Sequence, residues 1–146
     1  MQNRSIIKAV ILVAFVLALF SARSVSAQQR LSDKDVTNLM KNLKDDSKHF
    51  QSSFNSALSK SAVRKTSQEK IYKAAGKSFS DQVGAMLSVF QSKRTADTTL
   101  PGVLQTARQI DDVFLDVQLG GSARADWLKC KQGLTRLAAQ FNLAYN

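Results

Sequence analysis

The chain has 146 residues, 44% of them hydrophobic, and a formal net charge of +10. One cysteine, Cys130, excludes an intrachain disulfide. One histidine and one glutamate exclude a di-metal carboxylate site, which needs several inward glutamates and Glu-x-x-His pairs.

This length fits one domain with room for an appendage, and the appendage comes first. Arg4 and Lys8 make a positive start, and Ala9 to Phe20 is an unbroken apolar run. Val25-Ser26-Ala27 then supplies small residues ahead of a cleavage point. The layout is that of a secretory signal peptide over 1–27, leaving a domain over 28–146. The apolar run is short of the ~20 residues a membrane-spanning helix needs. An uncleaved inner-membrane anchor over 6–20 is the alternative. No cysteine stands near position 28 to carry a lipid anchor. Without Arg4, Lys8 and Arg23, 18 basic residues face 11 acidic ones, a net charge of +7. A chain this long buries about two-thirds of its unfolded surface, enough for a core without staples.

Four amphipathic segments follow. In the first, Val36, Leu43, Phe50 and Ala57 recur every seven residues, with Leu39, Met40, Phe54 and Leu58 between them. Ser32 and Asp35 form a capping box at its start, and the pattern predicts a helix over about 33–59. Six serines between Ser47 and Ser61 lower its propensity, so burial of the stripe has to hold it. Thr66 and Glu69 offer a second capping box, opening a helix over about 67–93. Its stripe is Tyr72, Ala75, Phe79, Val83, Met86 and Phe90. Gly76 and Gly84 inside it cost about 1 kcal/mol each relative to Ala, which suggests close approach of a neighbouring backbone, or a kink.

Pro101 in a first turn, capped by Thr98 or Thr99, predicts a third helix over about 99–118. Leu100, Val103, Ala107, Ile110, Phe114 and Val117 make its stripe, and Gly120-Gly121 stops it. Leu104 and Leu115 sit to one side, either widening the core contact or docking a partner helix. Ser122 suits the cap of a fourth helix over about 123–145, with Trp127, Cys130, Leu134, Leu137, Phe141 and Tyr145 in register. No segment alternates with period two. The expectation is an all-α, antiparallel up-down-up-down four-helix bundle.

The run Arg30-Leu31-Ser32-Asp33-Lys34-Asp35-Val36, with Phe50 in the next helix and Trp127 in a late one, resembles a group of small exported bacterial helical proteins. Their mature region opens with a similar R-L-S-D-K-D-V run. The likeness is specific over about seven residues. It implies an exported helical domain and brings no activity, cofactor or functional residue with it.

Chemistry is sparse in the sequence. Covalent haem attachment needs C-x-x-C-H, and Cys130 is followed by Lys131, Gln132 and Gly133. His49 projects about 120° from the first stripe, toward solvent rather than toward an interior haem. Asp111, Asp112 and Asp116 read as a solvated acidic face. Cys130 lies mid-stripe, where a small buried thiol is expected. No acid, base and nucleophile set can be assembled, so no catalytic, metal or cofactor site is expected.

Two leads remain. Lys60, Arg64, Lys65, Lys70, Lys73 and Lys77 face Glu69 alone, and the last three lysines fall about 100° to 160° round the helix from Tyr72. Such a patch suits an anionic membrane surface, lipopolysaccharide or an acidic protein. No interleaved aromatics support base stacking or sequence-specific nucleic acid. A merely solubilising face is the plainer account. Asp46, at the seam edge beside Ser47, could form an interior polar layer or line a small cavity; pairing at the rim is the plainer account. The expected function is an exported, non-enzymatic interaction module. The alternative is a small-ligand or cofactor carrier using the bundle interior. Oligomeric state stays open.

Overall fold

A computed structural model of the chain describes residues 30–145. The signal-peptide reading of 1–27 therefore falls outside the described residues. Among those described, the regular structure is four helices with no strand: α1 (Asp33–Leu58), α2 (Ser67–Lys93), α3 (Leu100–Asp116) and α4 (Gly121–Gln140). They form a four-helix bundle.

The first two helices begin as their caps dictate. The Ser32 hydroxyl accepts the Asp35 N–H, and the Thr66 hydroxyl accepts the Glu69 N–H. Buried positions on α1 run Val36, Leu39, Met40, Leu43, Ser47, Phe50, Phe54, Leu58, one stripe of the helix. α1 packs along both α2 and α4, and α2 along α3. Phe50 and Phe54 of α1, Phe79 of α2, Phe114 of α3 and Trp127 of α4 meet in the middle. Ring centroids lie 4.8 Å apart for Phe50–Trp127 and 5.3 Å for Phe79–Trp127. Every helix thus places an aromatic in one cluster, which fixes the bundle centre.

Gly76 earns its place against a side chain rather than a backbone. A Cβ there would stand 2.9 Å from Cδ1 of the fully buried Phe54. Gly84 has only the Lys44 side chain, at 4.0 Å, so close approach does not explain it.

The later helices depart from the sequence expectation in ways packing explains. Thr99 caps α3 without a side-chain bond, its hydroxyl being turned to the Ala96 carbonyl. α3 stops at Asp116, short of 118, because Val117 turns extended and both Val117 and Leu119 become buried. α4 starts at Gly121 with Gly120 as N-cap, so Ser122 is not the cap. It ends at Gln140, not 145. Asn142 takes a left-handed turn (φ 54°), and the last described residues leave the helix. Tyr145 is still buried, held from outside α4 rather than as the next turn of its stripe.

Candidate functional site

The basic segment divides in two. Glu69, on the first turn of α2, accepts from the Lys65 N–H, from the Ser59 hydroxyl at 3.0 Å and from Lys73 Nζ at 2.6 Å. The reciprocal half of the capping box therefore reaches Lys65 rather than Thr66, whose N–H already bonds the Val63 carbonyl. Lys65 sits at φ 63°, the left-handed turn that presents its N–H to the carboxylate. The Lys73 ammonium and the Lys65 N–H hold the Glu69 carboxyl at about 2, well below its usual range. Lys73 is half-buried and spent on Glu69 and Ser59. Lys77 pairs with Asp81 one turn on.

Lys60, Arg64, Lys65 and Lys70 are exposed, and none has a carboxylate partner among the described residues. Beside Lys70, Ile71 stands 58% exposed. The sequence-based patch of six cations thus becomes four free cations at the α1–α2 connection. Ile71 escapes a reading of stripes because it lies about 100° off the Tyr72 stripe.

Asp46 and Ser47 are separated. Ser47 is fully buried, donating to the Lys44 carbonyl at 2.7 Å and facing Ser80 Oγ of α2 at 3.4 Å. Asp46 stays half-buried at the rim of a recess of about 240 Å³, shared with Leu43, Lys129, Gly133 and Arg136. The interior polar layer is therefore a pair of serine hydroxyls, and the carboxylate lies outside it. His49 is exposed. Cys130 is fully buried, and burial, with Asp46 and Asp126 adding to it, pushes its thiol far above the usual range.

The acidic face of α3 is not uniformly solvated. Asp112 is exposed, Asp116 is exposed but accepts the Tyr72 hydroxyl of α2 at 3.0 Å, and Asp111 is the hub of a polar joint. Its carboxylate accepts from Trp127 Nε1 at 2.8 Å, Lys131 Nζ at 2.9 Å and the Tyr145 hydroxyl at 3.0 Å. Burial and the Asp111 charge raise the Tyr145 hydroxyl above its ordinary value. Arg108 adds a bond to the Ala144 carbonyl at 3.2 Å. The last described residues thus strap across α3 and α4, whose backbones come close at few positions.

Beyond the strap, α3 and α4 leave a groove of about 400 Å³ with Phe114 and Trp127 in its wall and Arg124 and Lys131 at its edge. The Phe114 and Trp127 rings stack 6.4 Å apart, and the Arg124 guanidinium lies 5.7 Å from the Phe114 centroid. Of the two flanking leucines, Leu104 is buried and Leu115 is 81% exposed at this groove.

No family model, curated protein or solved structure matches the chain. Among the described residues, no helix is long and apolar enough to cross a membrane. Nor do three or more His, Cys, Asp or Glu side chains there come together in a way that could hold a metal ion.

Proposed function

We propose that this protein is an exported, non-enzymatic helical binding module that docks on an anionic envelope surface through its α1–α2 connection. The observation that carries the reading is the set of four exposed cations, Lys60, Arg64, Lys65 and Lys70, without carboxylate partners among the described residues. Each lysine or arginine near an anionic lipid surface contributes about 1 kcal/mol. Four give about 4 kcal/mol, roughly a thousand-fold gain in partitioning. Ile71, exposed next to Lys70 in the chain, adds an apolar contact that a lipid surface can take up. Lys73 and Lys77 are already neutralised and add little.

Export rests on the composition of residues 1–27 and on the resemblance of the Arg30–Val36 opening. An up-down-up-down arrangement is part of the same reading. It is supported by contacts whose residue numbers fall on one helix as they rise on the other: Ser47 with Ser80 and Phe54 with Gly76, then Leu31 with Gln140 and Leu43 with Gly133.

The test is co-sedimentation of the protein, expressed from the full chain, with phosphatidylglycerol and phosphatidylcholine vesicles at low and high salt. Pelleting with the anionic vesicles alone, lost at high salt and in the variant Lys60→Glu/Arg64→Glu/Lys65→Glu/Lys70→Glu, is expected. Lys77→Glu should pellet as the unaltered protein does. Absence of binding at low salt, or equal binding to both vesicles, overturns the reading.

A further inference from the structure

α1 and α4 leave a recess of about 240 Å³ along their seam. Sites for drug-sized molecules run from about 300 to 1,000 Å³, so any occupant here is small. Gly133 keeps the middle of the recess open. A Cβ there would stand 3.2 Å from Cδ1 of the buried Leu43. Glycine weakens a helix interior, and at this position the weakening leaves space.

The order of side chains along the recess follows from two contacts. Leu43 lies against Gly133, and the Leu31 N–H donates to Gln140 Oε1 at 2.7 Å, so residue numbers fall on α4 as they rise on α1. Asp46 is three residues past Leu43, and Arg136 is three past Gly133. They therefore stand at opposite ends, about 9 Å apart along the helix axes at 1.5 Å per residue. Gln132 falls on the Asp46 side of the middle and Asn42 on the Arg136 side. Leu39 and Leu43, both buried, give the recess its apolar floor. From one end to the other the order is acid, amide, apolar floor, amide, base.

Neither charged end is spent within the described residues. Asp46 is half-buried and Arg136 exposed, and neither forms an ion pair there. The rim pairing expected of Asp46 is thus not made among them. Lys129 also borders the recess, but its ammonium is turned to Asp126 at 3.4 Å.

We propose that this recess binds a free dipeptide with small apolar side chains. Its ammonium meets Asp46, its carboxylate meets Arg136, and its peptide group lies between Gln132 and Asn42. A purely anionic ligand would answer Arg136 and be repelled by Asp46, and a purely cationic one would meet the reverse. An occupant with both charges satisfies both ends. A single amino acid carries its charges on one carbon, too close together for ends about 9 Å apart. Two extended residues reach about 7 Å, and inclined hydrogen bonds of about 2.8 Å at the two ends cover the remainder. The Arg136 guanidinium can offer the carboxylate two parallel bonds.

The inference does not use the α1–α2 connection, so it stands or falls apart from the membrane reading. It is tested by amide NMR titration of the protein, expressed from the full chain, with Ala-Ala, N-acetyl-Ala-Ala, Ala-Ala-amide and alanine. Shifts centred on Asn42, Gln132 and Gly133 are expected with Ala-Ala, saturating with a Kd on the order of 1 mM for a ligand this small. The acetylated peptide lacks the ammonium and the amidated one the carboxylate, so each should bind about 10-fold more weakly or worse, as should alanine. Asp46→Asn should erase the preference over the acetylated peptide, and Arg136→Gln the preference over the amidated one. Helical circular dichroism should stay unchanged in both variants, since neither side chain has an ion pair to lose. No saturable shift by about 20 mM Ala-Ala, well above the expected Kd, overturns the inference. So do shifts centred outside the recess, or a capped peptide that binds as the free one does.

Discussion

Glu69 and Asp111 do the same job in different ways. Each carboxylate gathers three donors, including one lysine ammonium. The partners of Glu69 all lie within ten residues of it, and together they close the α1–α2 turn. The partners of Asp111 lie 16, 20 and 34 residues away and join α3 to α4 and to the tail. The first joint organises a local turn and leaves four neighbouring cations free. The second carries tertiary structure where two helices come close at few backbone positions. A local joint shapes a surface, whereas a distant one maintains the fold.

The difference is broken most directly at Asp111. Asp111→Ala strands the Trp127 N–H and the Tyr145 hydroxyl, both on residues almost fully buried. Leaving a buried donor unmet costs about 1–3 kcal/mol, so the variant should lose about 2–4 kcal/mol in urea unfolding. Tyr145→Phe removes one donor and leaves the carboxylate two others, so its loss should be near 1 kcal/mol. The double variant should lose less than the two single losses added together, because both act on one network. Strict additivity would mean that the hydroxyl and the carboxylate do not share a joint.

The same division decides what the sequence discloses. Helix stripes and local caps are written in spacings of three, four and seven, so α1 and α2 begin where Ser32 and Thr66 indicate. The neutralisation of Lys73 and Lys77 was legible too, since Glu69–Lys73 and Lys77–Asp81 are four apart on one helix. The end of α4 was not legible. Phe141 and Tyr145 keep the helical spacing, yet the chain turns at Asn142 and its tail is tied to Asp111 and Arg108 across the seam. The role of Asp111 was hidden likewise, because neighbouring aspartates on an amphipathic helix look alike until a tryptophan 16 residues on selects one. Leu104 and Leu115 share a flank of α3, and what covers each one depends on distant chain.

The local joint yields smaller effects. Thr66→Ala deletes the hydroxyl that accepts the Glu69 N–H and should cost about 1 kcal/mol. It should leave the Asp111 joint untouched, so its loss should add to that of Tyr145→Phe within about 0.5 kcal/mol. Urea unfolding of the single and double variants measures this.

The effect sharpest in sign is the pH dependence at Glu69. Its carboxyl is held at about 2 in the folded protein against an ordinary 4.5. A carboxyl whose folded value is depressed stabilises when ionised, so its contribution is complete above about 4.5 and is lost as pH falls toward 2. The cause is the Lys73 ammonium first and the Lys65 N–H second. Glu69→Gln cannot titrate, so the gap in urea midpoint between it and the unaltered protein should be constant from pH 7 to about 5 and close steadily below 4.5. Other carboxylates titrate in both proteins alike and drop out of the difference. A gap that stays open to pH 2 would show that the turn is held by hydrogen-bond geometry alone, with the ion pair to Lys73 contributing nothing. Lys73 would then belong with the free cations of the α1–α2 connection, and the contrast between the two joints would lose its electrostatic half.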